Sequence, residues 1–573
     1  MKKRTVSILM AAVLSIGSLT ACSDKKQDSG EKPAQGLEQQ ATEPAQGTGQ
    51  SEDQQEGSLN PPGTFPISKQ RVTITVGVEQ NSNVEDWDTN ALTLELEEKA
   101  NVDLVFEIFP AADTASKISA RVASQSELPD ILLLGTTGLD SYVDAGVFLP
   151  LTEYYNNPDI SYYFNQRLAE DPEKKDFLLR NAKSPDGEIY SLLRYTPEIG
   201  NEYPNRMWIN KTWLDTLGLP IPTTTDEYYD TLKAFVEQDP NGTGKKDEIG
   251  LIGSTNGWAQ QPQDTLMNAF TYIDTRYNYL TVENGKLSVA YNKPEYKEGL
   301  EYMNKLVRDG LLSPLSFTQD KSQLSVIVEN PEVQLVGSLV AGSLSLYETD
   351  SIRKQDFVPL PPLTGPEGTC YASYKPTLPQ HVAYITKYCE NPELAFRMLD
   401  YMYDETMSMW QRFGVPEEDW TSKVEGTKGL YEDSLGVVCG FEQIKDVMGV
   451  QNSNWPNLLP AYRDMLSPLS IQGMAISEDP YDYSVFTANA VQYHVGKQPD
   501  EIIEKIDYTT DETGQLNDLL ASLNTYRAES AARFIVGDKP FSEWDSYVQE
   551  LDKIGLEEFI AISQQAYDRT VGK

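Results

Sequence analysis

Ten consecutive residues, Asp239-Pro240-Asn241-Gly242-Thr243-Gly244-Lys245-Lys246-Asp247-Glu248, place oxygen donors at alternating positions. The side chains of Asp239, Asn241 and Thr243, the carbonyl of Lys245, and the carboxylates of Asp247 and Glu248 suit a hard cation such as Ca²⁺, and Gly244 permits the tight turn such a loop needs. The run departs from an EF-hand. Its terminal Glu falls at loop position 10, position 12 is Gly250, and a threonine hydroxyl is a weaker ligand than a carboxylate. A hydrated polar turn is the plain alternative; a bound Ca²⁺ would have a structural role.

Other reactive chemistry is sparse. His381 and His494 are the only histidines, and the chain has no HExxH, GxSxG or GxxxxGK[ST] element. Cys370, Cys389 and Cys439 are an odd number without CxxC spacing, so neither a disulfide framework nor a zinc site is expected. The chain is expected not to be an enzyme. Glycoside hydrolysis needs only two suitably separated carboxyl groups, so a secreted carbohydrate-active hydrolase stays open as an alternative. Tyrosines number 32 and tryptophans 8, several beside Asn, Gly or Pro, and aromatic faces at such turns can stack on sugar rings or simply pack in a core.

The ends and the charge say where these residues work. Lys2, Lys3 and Arg4 precede an apolar stretch from Val6 to Leu14, the layout of a secretory leader and too short to span a bilayer. Leu19-Thr20-Ala21-Cys22 resembles the lipobox at which a bacterial signal peptidase cuts and Cys22 is acylated, palmitate being one such acyl chain. Residues 1–21 are thus expected to be a leader. Residues 22–69, rich in Gln, Glu, Gly, Ser, Pro and Thr, are expected to be a lipid-anchored tether with an r.m.s. span of roughly 40 Å. The body, 70–573, is long enough for two lobes. A net charge of −40 argues against nucleic-acid binding, which needs clustered cations.

The body opens with alternation. Val72, Ile74, Val76 and Val78 predict a strand, Leu92, Leu96 and Ala100 a helix, and Val102, Leu104, Phe106 and Ile108 a second strand. A helix over 114–126 and the apolar run Ile131-Leu132-Leu133-Leu134 complete a unit with a parallel sheet, whose ligands sit beyond the carboxyl ends of its strands. Helices are also predicted over 227–238, 295–308, 392–403 and 542–567.

Leu128-Pro129-Asp130-Ile131, Pro185-Asp186-Gly187-Glu188-Ile189-Tyr190, Trp208-Ile209-Asn210-Lys211-Thr212-Trp213-Leu214-Asp215, and Phe396 to Glu405 followed by Arg412-Phe413-Gly414 occur in an order that resembles the family 1 extracellular solute-binding proteins of ABC importers. The likeness is to a long lipoprotein subgroup of Gram-positive bacteria and runs across nearly the whole body. It implies an α/β fold of two periplasmic-binding-protein-like lobes, type II and maltose-binding-protein-like, with a hinge and an interlobe cleft. The first lobe is expected over about 70–195 and 376–450, the second over about 196–375 and 451–573. The resemblance implies a monomer on the outer face of the membrane, passing an oligosaccharide or decorated sugar to an ABC permease; a non-sugar solute is the alternative cargo. The loop from Asp239 looks like the calcium loop of the alginate-oligosaccharide-binding members. Matched to the maltose-binding branch, Asp86, Trp87, Thr136 and Thr137 fall at ligand contacts of the first lobe, and Trp208 (or Ile209) and Trp455 at later ones. Local context adds Arg206, Trp258 and Tyr374. An Arg206 facing the cleft would suit an acidic sugar.

Overall fold

In the computed structural model, described for residues 58–572 apart from 111–112, 134–141, 185, 349 and 448, the alternating segments pair as their patterns require. Cys22, Thr136 and Thr137 lie outside the described residues. Strands β1 (Val72–Glu79) and β2 (Val102–Phe109) run parallel, with Val76 opposite Phe106, and β3 (Ile131–Leu133) joins β1 in parallel on its other side. All three residues of β3 are buried, which explains its unbroken apolar run. Gly77 is required here because a Cβ would sit 2.6 Å from a methyl of Leu132.

Strand β4 (Ser191–Tyr195) lies in this sheet, β5 (Met207–Asn210) and β6 (Ile249–Ile252) lie in another, and β7 (Leu280–Glu283) and β8 (Lys286–Val289) form a hairpin. Strands β9 (Val336–Val340) and β10 (Phe357–Leu360) return to the second sheet, and β11 (Gln380–Ile385) to the first. After the short pair β12 (Trp420–Thr421) and β13 (Glu442–Gln443), β14 (Ala461–Tyr462) ends the first sheet, whose order is β14-β4-β11-β3-β1-β2. The second sheet has the order β10-β5-β9-β6. Each carries its own core, one around Ile74, Val76, Leu133 and Ile385, the other around Ile209, Leu251, Val340 and Leu360. The fold is therefore the expected two-lobe α/β arrangement.

The chain passes between lobes three times: from β4 to β5, from β10 to β11, and from β14 to the helix Tyr483–Val491. The last passage begins later than sequence alone suggested, because Gln451 bridges Val84 and β14 pairs with β4, holding residues 451–462 on the first lobe. Strands β1, β2, β3, β4 and β14 share one direction and β11 opposes it. In the second sheet β6, β9 and β10 share one direction and β5 opposes it. The first two passages thus leave and enter at the carboxyl edges of the two sheets, and the third leaves the first sheet at that same edge, which puts those edges on either side of the hinge.

The passages are tied together. The N–H of Thr377 donates to the buried Glu202 carboxylate at 2.8 Å, the N–H of Lys375 donates to the Glu202 carbonyl at 2.7 Å, and the Gln472 amide donates to the Pro197 carbonyl at 3.2 Å. The helix predicted over 542–567 is two helices, Trp544–Ile554 and Leu556–Thr570, because Gly555 adopts φ +121° with Leu519 packed behind it. The sequence reading also missed the helix Thr510–Val536, opened by a capping box of Thr509 and Glu512.

Candidate functional site at the interlobe edges

On the second lobe, β6 runs into the loop Gly253–Gln260, which is folded back on itself. Ser254 donates through its N–H to the Gln260 carbonyl at 2.9 Å, and through its hydroxyl to the Gln260 side chain at 2.6 Å. Ala259 takes φ +50°, a left-handed conformation that costs a residue with a Cβ and persists only where the surroundings enforce it. The product of this turn is Trp258, 43% exposed, the only tryptophan among the exposed large hydrophobic side chains of the described residues. Its ring lies so close on Gly342, in the loop after β9, that a Cβ there would come within 2.5 Å of it, and Gly342 N–H donates to the Trp258 carbonyl at 2.9 Å. The result is a fixed aromatic platform on the hinge-facing edge.

Arg206, at the amino end of β5, lies beneath that platform. Its guanidinium carbon is 5.8 Å from the ring centroid, and its two terminal nitrogens donate to the carbonyls of Gly342 and Gly200. The side chain is wholly buried, and burial lowers its pKa to about 10, opposed by the nearby Tyr431 and Tyr483 hydroxyls. Tyr483, at the first turn of the helix that begins the third passage, is 52% exposed and was not singled out from sequence. The signal available was Asp482-Tyr483-Ser484, since Asp482 caps this helix through the Ser484 N–H at 2.8 Å. His494, buried nearby, is lowered to about 4, first by burial and then by Arg206, and bonds the Ala490 carbonyl at 3.0 Å, a structural arrangement.

The remaining expected contacts sit elsewhere. Trp208 is fully buried in β5, with its indole N–H on the Ala341 carbonyl at 3.0 Å, and Ile209 points into the core on the opposite face. On the first lobe, Trp455 packs edge-on against Trp87 and Phe106, with centroids 5.7 and 5.3 Å away, and its N–H meets the Thr93 hydroxyl at 2.9 Å. Neither Trp208, Trp87 nor Trp455 offers a free ring face in this structure, because each side chain has apolar partners that cover it. Asp86 is exposed on the same edge and closes a turn by accepting from the Asp88 N–H at 2.9 Å. Tyr374 belongs to the hinge: its ring packs on Tyr203 at 4.9 Å, and burial first, then Glu202, raises its pKa.

The loop from Asp239 lies at the opposite end of β6. Asp239 takes φ +52°, Gly242 +71° and Gly244 +69°, which curl the chain around its own carboxylates. Asp247 accepts from the Asn241 amide at 2.9 Å and the Thr243 hydroxyl at 3.0 Å, and Asp239 accepts from the Gly244 N–H at 3.0 Å. One oxygen of Glu248 is buried with no hydrogen-bond partner, and its carboxyl is raised by burial first and then by Asp239 and Asp247. Among the described residues no three His, Cys, Asp or Glu side chains are gathered tightly enough to hold a metal ion as they stand. The orphaned oxygen and its two carboxylate neighbours nonetheless form an electron-rich spot that a cation would relieve.

Comparison with known proteins agrees with this architecture. The fructooligosaccharide ABC transporter substrate-binding protein FusA of Streptococcus pneumoniae is 24% identical over 88% of this chain and 92% of its own. Its solved EF-hand mutant, in complex with fructo-nystose, superposes with a TM-score of 0.61 at 22% identity, covering 87% of this chain and 99% of that one. An HMO-binding, ABC-transporter-associated solute-binding protein of Bifidobacterium longum infantis superposes with a TM-score of 0.69, with 19% identity over 87% and 99% of the two chains. The polygalacturonan/rhamnogalacturonan-binding protein YtcQ of Bacillus subtilis is 26% identical over 48% of this chain and 51% of its own. The sequence profile of the bacterial extracellular solute-binding proteins matches residues 88–408, more than half the chain, and the protein belongs to that family.

Proposed function

We propose that this chain captures an oligosaccharide outside the cell and hands it to an ABC permease, held to the membrane by a lipid on Cys22. The observation that carries the proposal is the Trp258 platform, a rigid, half-exposed aromatic face on the one edge of the second lobe that looks across the hinge. A sugar ring stacked there meets the first-lobe edge only when the lobes close, and contacts made only in the closed state are what drive closure. Tyr483 extends the aromatic surface, and Asp86 supplies a carboxylate for sugar hydroxyls from the opposite edge. The sugar-binding relatives and neighbours support this reading.

Ca²⁺ fits the loop from Asp239. Asp239, Asn241, Thr243, Asp247, Glu248 and the Lys245 carbonyl would hold it, with the Asn241 amide turned over to present oxygen in place of nitrogen. The ion would neutralise the carboxylates and fix the entry to β6.

The test is a thermal-shift and calorimetric screen of the full chain against oligosaccharides, followed by prolonged incubation. Binding without cleavage supports the transport reading; cleavage moves the chain to the hydrolases; no sugar binding refutes the carbohydrate cargo. Labelled palmitate incorporation, lost in Cys22→Ala, tests the anchor.

A further inference from the structure

We propose that closure of the lobes bends the first two passages only at residues 196–198 and 378–379, and that Glu202 is the positioning residue that confines the bend to those stretches; this deepens the transport reading above and rests on it.

The second-lobe ends of both passages are fixed. In the first, the Tyr203 hydroxyl donates to the Gln498 side chain at 2.8 Å and accepts from the Gly496 N–H at 3.3 Å, and the Asn205 amide donates to the Asp264 carbonyl at 3.0 Å. In the second, the Tyr371 N–H donates to the Asn268 carbonyl at 3.0 Å, the Ala372 N–H to the Lys497 carbonyl at 3.0 Å, and the Tyr374 N–H to the Tyr272 hydroxyl at 3.3 Å. The first-lobe ends are fixed as well. Arg194, near the end of β4, is paired with Gln380 at the start of β11, and the Tyr195 carbonyl accepts from the Arg463 N–H at 3.0 Å. Residues 196–202 and 375–379 are left to bend.

Glu202 shortens both stretches. It ends the single helical turn Ile199–Glu202, whose Gly200 is packed so tightly on the helix Tyr483–Val491 that a Cβ would come 2.8 Å from the methyl of Thr487. From that turn the Glu202 carbonyl accepts from the Lys375 N–H at 2.7 Å and its carboxylate from the Thr377 N–H at 2.8 Å, so residues 375–377 are tied across to 199–202. The free residues are then 196–198 and 378–379, which continue the neighbouring strands β4 and β11. Each stretch contains a proline, Pro197 or Pro379, with no N–H to tie into a neighbour. Gln472, in the segment that follows β14, holds the Pro197 carbonyl, so the first bend centres on the link from Pro197 to Glu198.

The chemistry of Glu202 fits a tie and not a filler. Its side chain is only 4% exposed, and burial raises its carboxyl above the ordinary glutamate value. Opposing that rise are the Thr377 N–H and hydroxyl, the Tyr374 hydroxyl and, last, the attraction of Lys174 on the first lobe. An apolar side chain would fill the same space without the desolvation cost, but it would leave the buried end of the Thr377 N–H unheld. Without the tie, 375–377 joins the bend and the open chain samples more arrangements. Closing on cargo then loses more conformational freedom, which weakens binding with no contact to the sugar changed.

The experiment is pulsed spin-resonance distance measurement on the full chain in detergent, with genetically encoded spin labels at the exposed Lys117 and Lys321, together with hydrogen exchange read residue by residue. Without cargo, Glu202→Ala should widen the interlobe distance distribution about twofold, while Glu202→Gln, whose carbonyl still accepts from Thr377, keeps the wild-type width. In the wild type the Lys375 and Thr377 amides should exchange about a hundredfold more slowly than the Leu378 amide. Nystose, maltotriose, xylotriose and trigalacturonate are the cargo probes. One that binds should do so about tenfold more weakly in Glu202→Ala and within about threefold of wild type in Glu202→Gln, and protection at Lys375 and Thr377 should survive its binding. Equal widths in the wild type and Glu202→Ala, or loss of protection at Lys375 and Thr377 when the sugar binds, overturn the inference and put the bend inside the tied stretch. If none of the four sugars binds, the oligosaccharide reading falls, while the widths and exchange rates without cargo still decide the tie. If Glu202→Ala does not fold, the wild-type exchange rates decide: Lys375, Thr377 and Leu378 amides exchanging alike refute it.

Discussion

Trp455 and Trp258 occupy matching situations, each in an Asn-containing loop at the carboxyl edge of a sheet, and they meet opposite fates. Trp455 is 1% exposed, enclosed by Trp87 and Phe106 with its N–H on Thr93. Trp258 is 43% exposed because what lies beneath it is the backbone of Gly342 and the guanidinium of Arg206, not another ring. A tryptophan over a neighbouring ring becomes core, and one over a glycine becomes a platform. The first-lobe edge therefore owes its rigidity to apolar packing, and the second-lobe edge to hydrogen bonds around an exposed ring.

That contrast is broken most directly by truncation. Trp455→Ala leaves a large cavity in the first-lobe core and is expected to destabilise the folded chain by about 3–5 kcal/mol, measured by chemical denaturation. Trp258→Ala is expected to change stability by less than about 1 kcal/mol while weakening sugar binding about tenfold. A Trp455→Ala chain of ordinary stability that no longer binds sugar would reverse the assignment of the two edges.

A finer change sharpens it. Gly342→Ala places a Cβ 2.5 Å from the Trp258 ring, too close for the ring to stay where it is. Sugar affinity should fall about threefold by calorimetry, since part of one stacking contact is lost. Unchanged affinity would mean that the ring does not lie under the ligand.

The sequence carried the opening β-α-β-α-β unit and the two-lobe class, because Val72 to Val78 and Val102 to Ile108 alternate at the period of a strand with one face covered. It could not separate Trp455 from Trp258. Both read as an aromatic one or two residues after an Asn, and what covers each comes from Trp87 and Phe106 in one case and Gly342 in the other, far away in the chain. Arg206 was opaque for the same reason: its partners, Gly200 and Gly342, lie 6 and 136 residues away, so a cleft-facing cation and a buried brace have the same local sequence. The later boundary of the third passage depends on β14, a strand of two residues too short for any periodicity. The break at Gly555 was the more readable miss, since a lone glycine inside an amphipathic run is a common stopping point.

Calcium should separate the two ends of β6, and its effect on binding is the smallest expected. The loop from Asp239 precedes β6 and Trp258 follows it, so an ion at the loop stiffens the strand at the end away from the sugar. At a concentration a few times its dissociation constant, Ca²⁺ should stabilise the full chain by about 1 kcal/mol, read as a thermal shift. Sugar affinity should change less than about twofold by calorimetry. The pH dependence has a definite sign. Without the ion, Glu248 holds its proton more tightly folded than unfolded, so the stability linked to this group is greatest in acid and is lost as pH rises above the ordinary glutamate value of 4.5. The ion requires the ionised carboxylate, so the calcium-induced shift should grow from acid to neutral pH and shrink in Glu248→Gln. A calcium effect equal at both pH values would remove Glu248 from the ligand set, and a large gain in sugar affinity would place the ion at the binding edge.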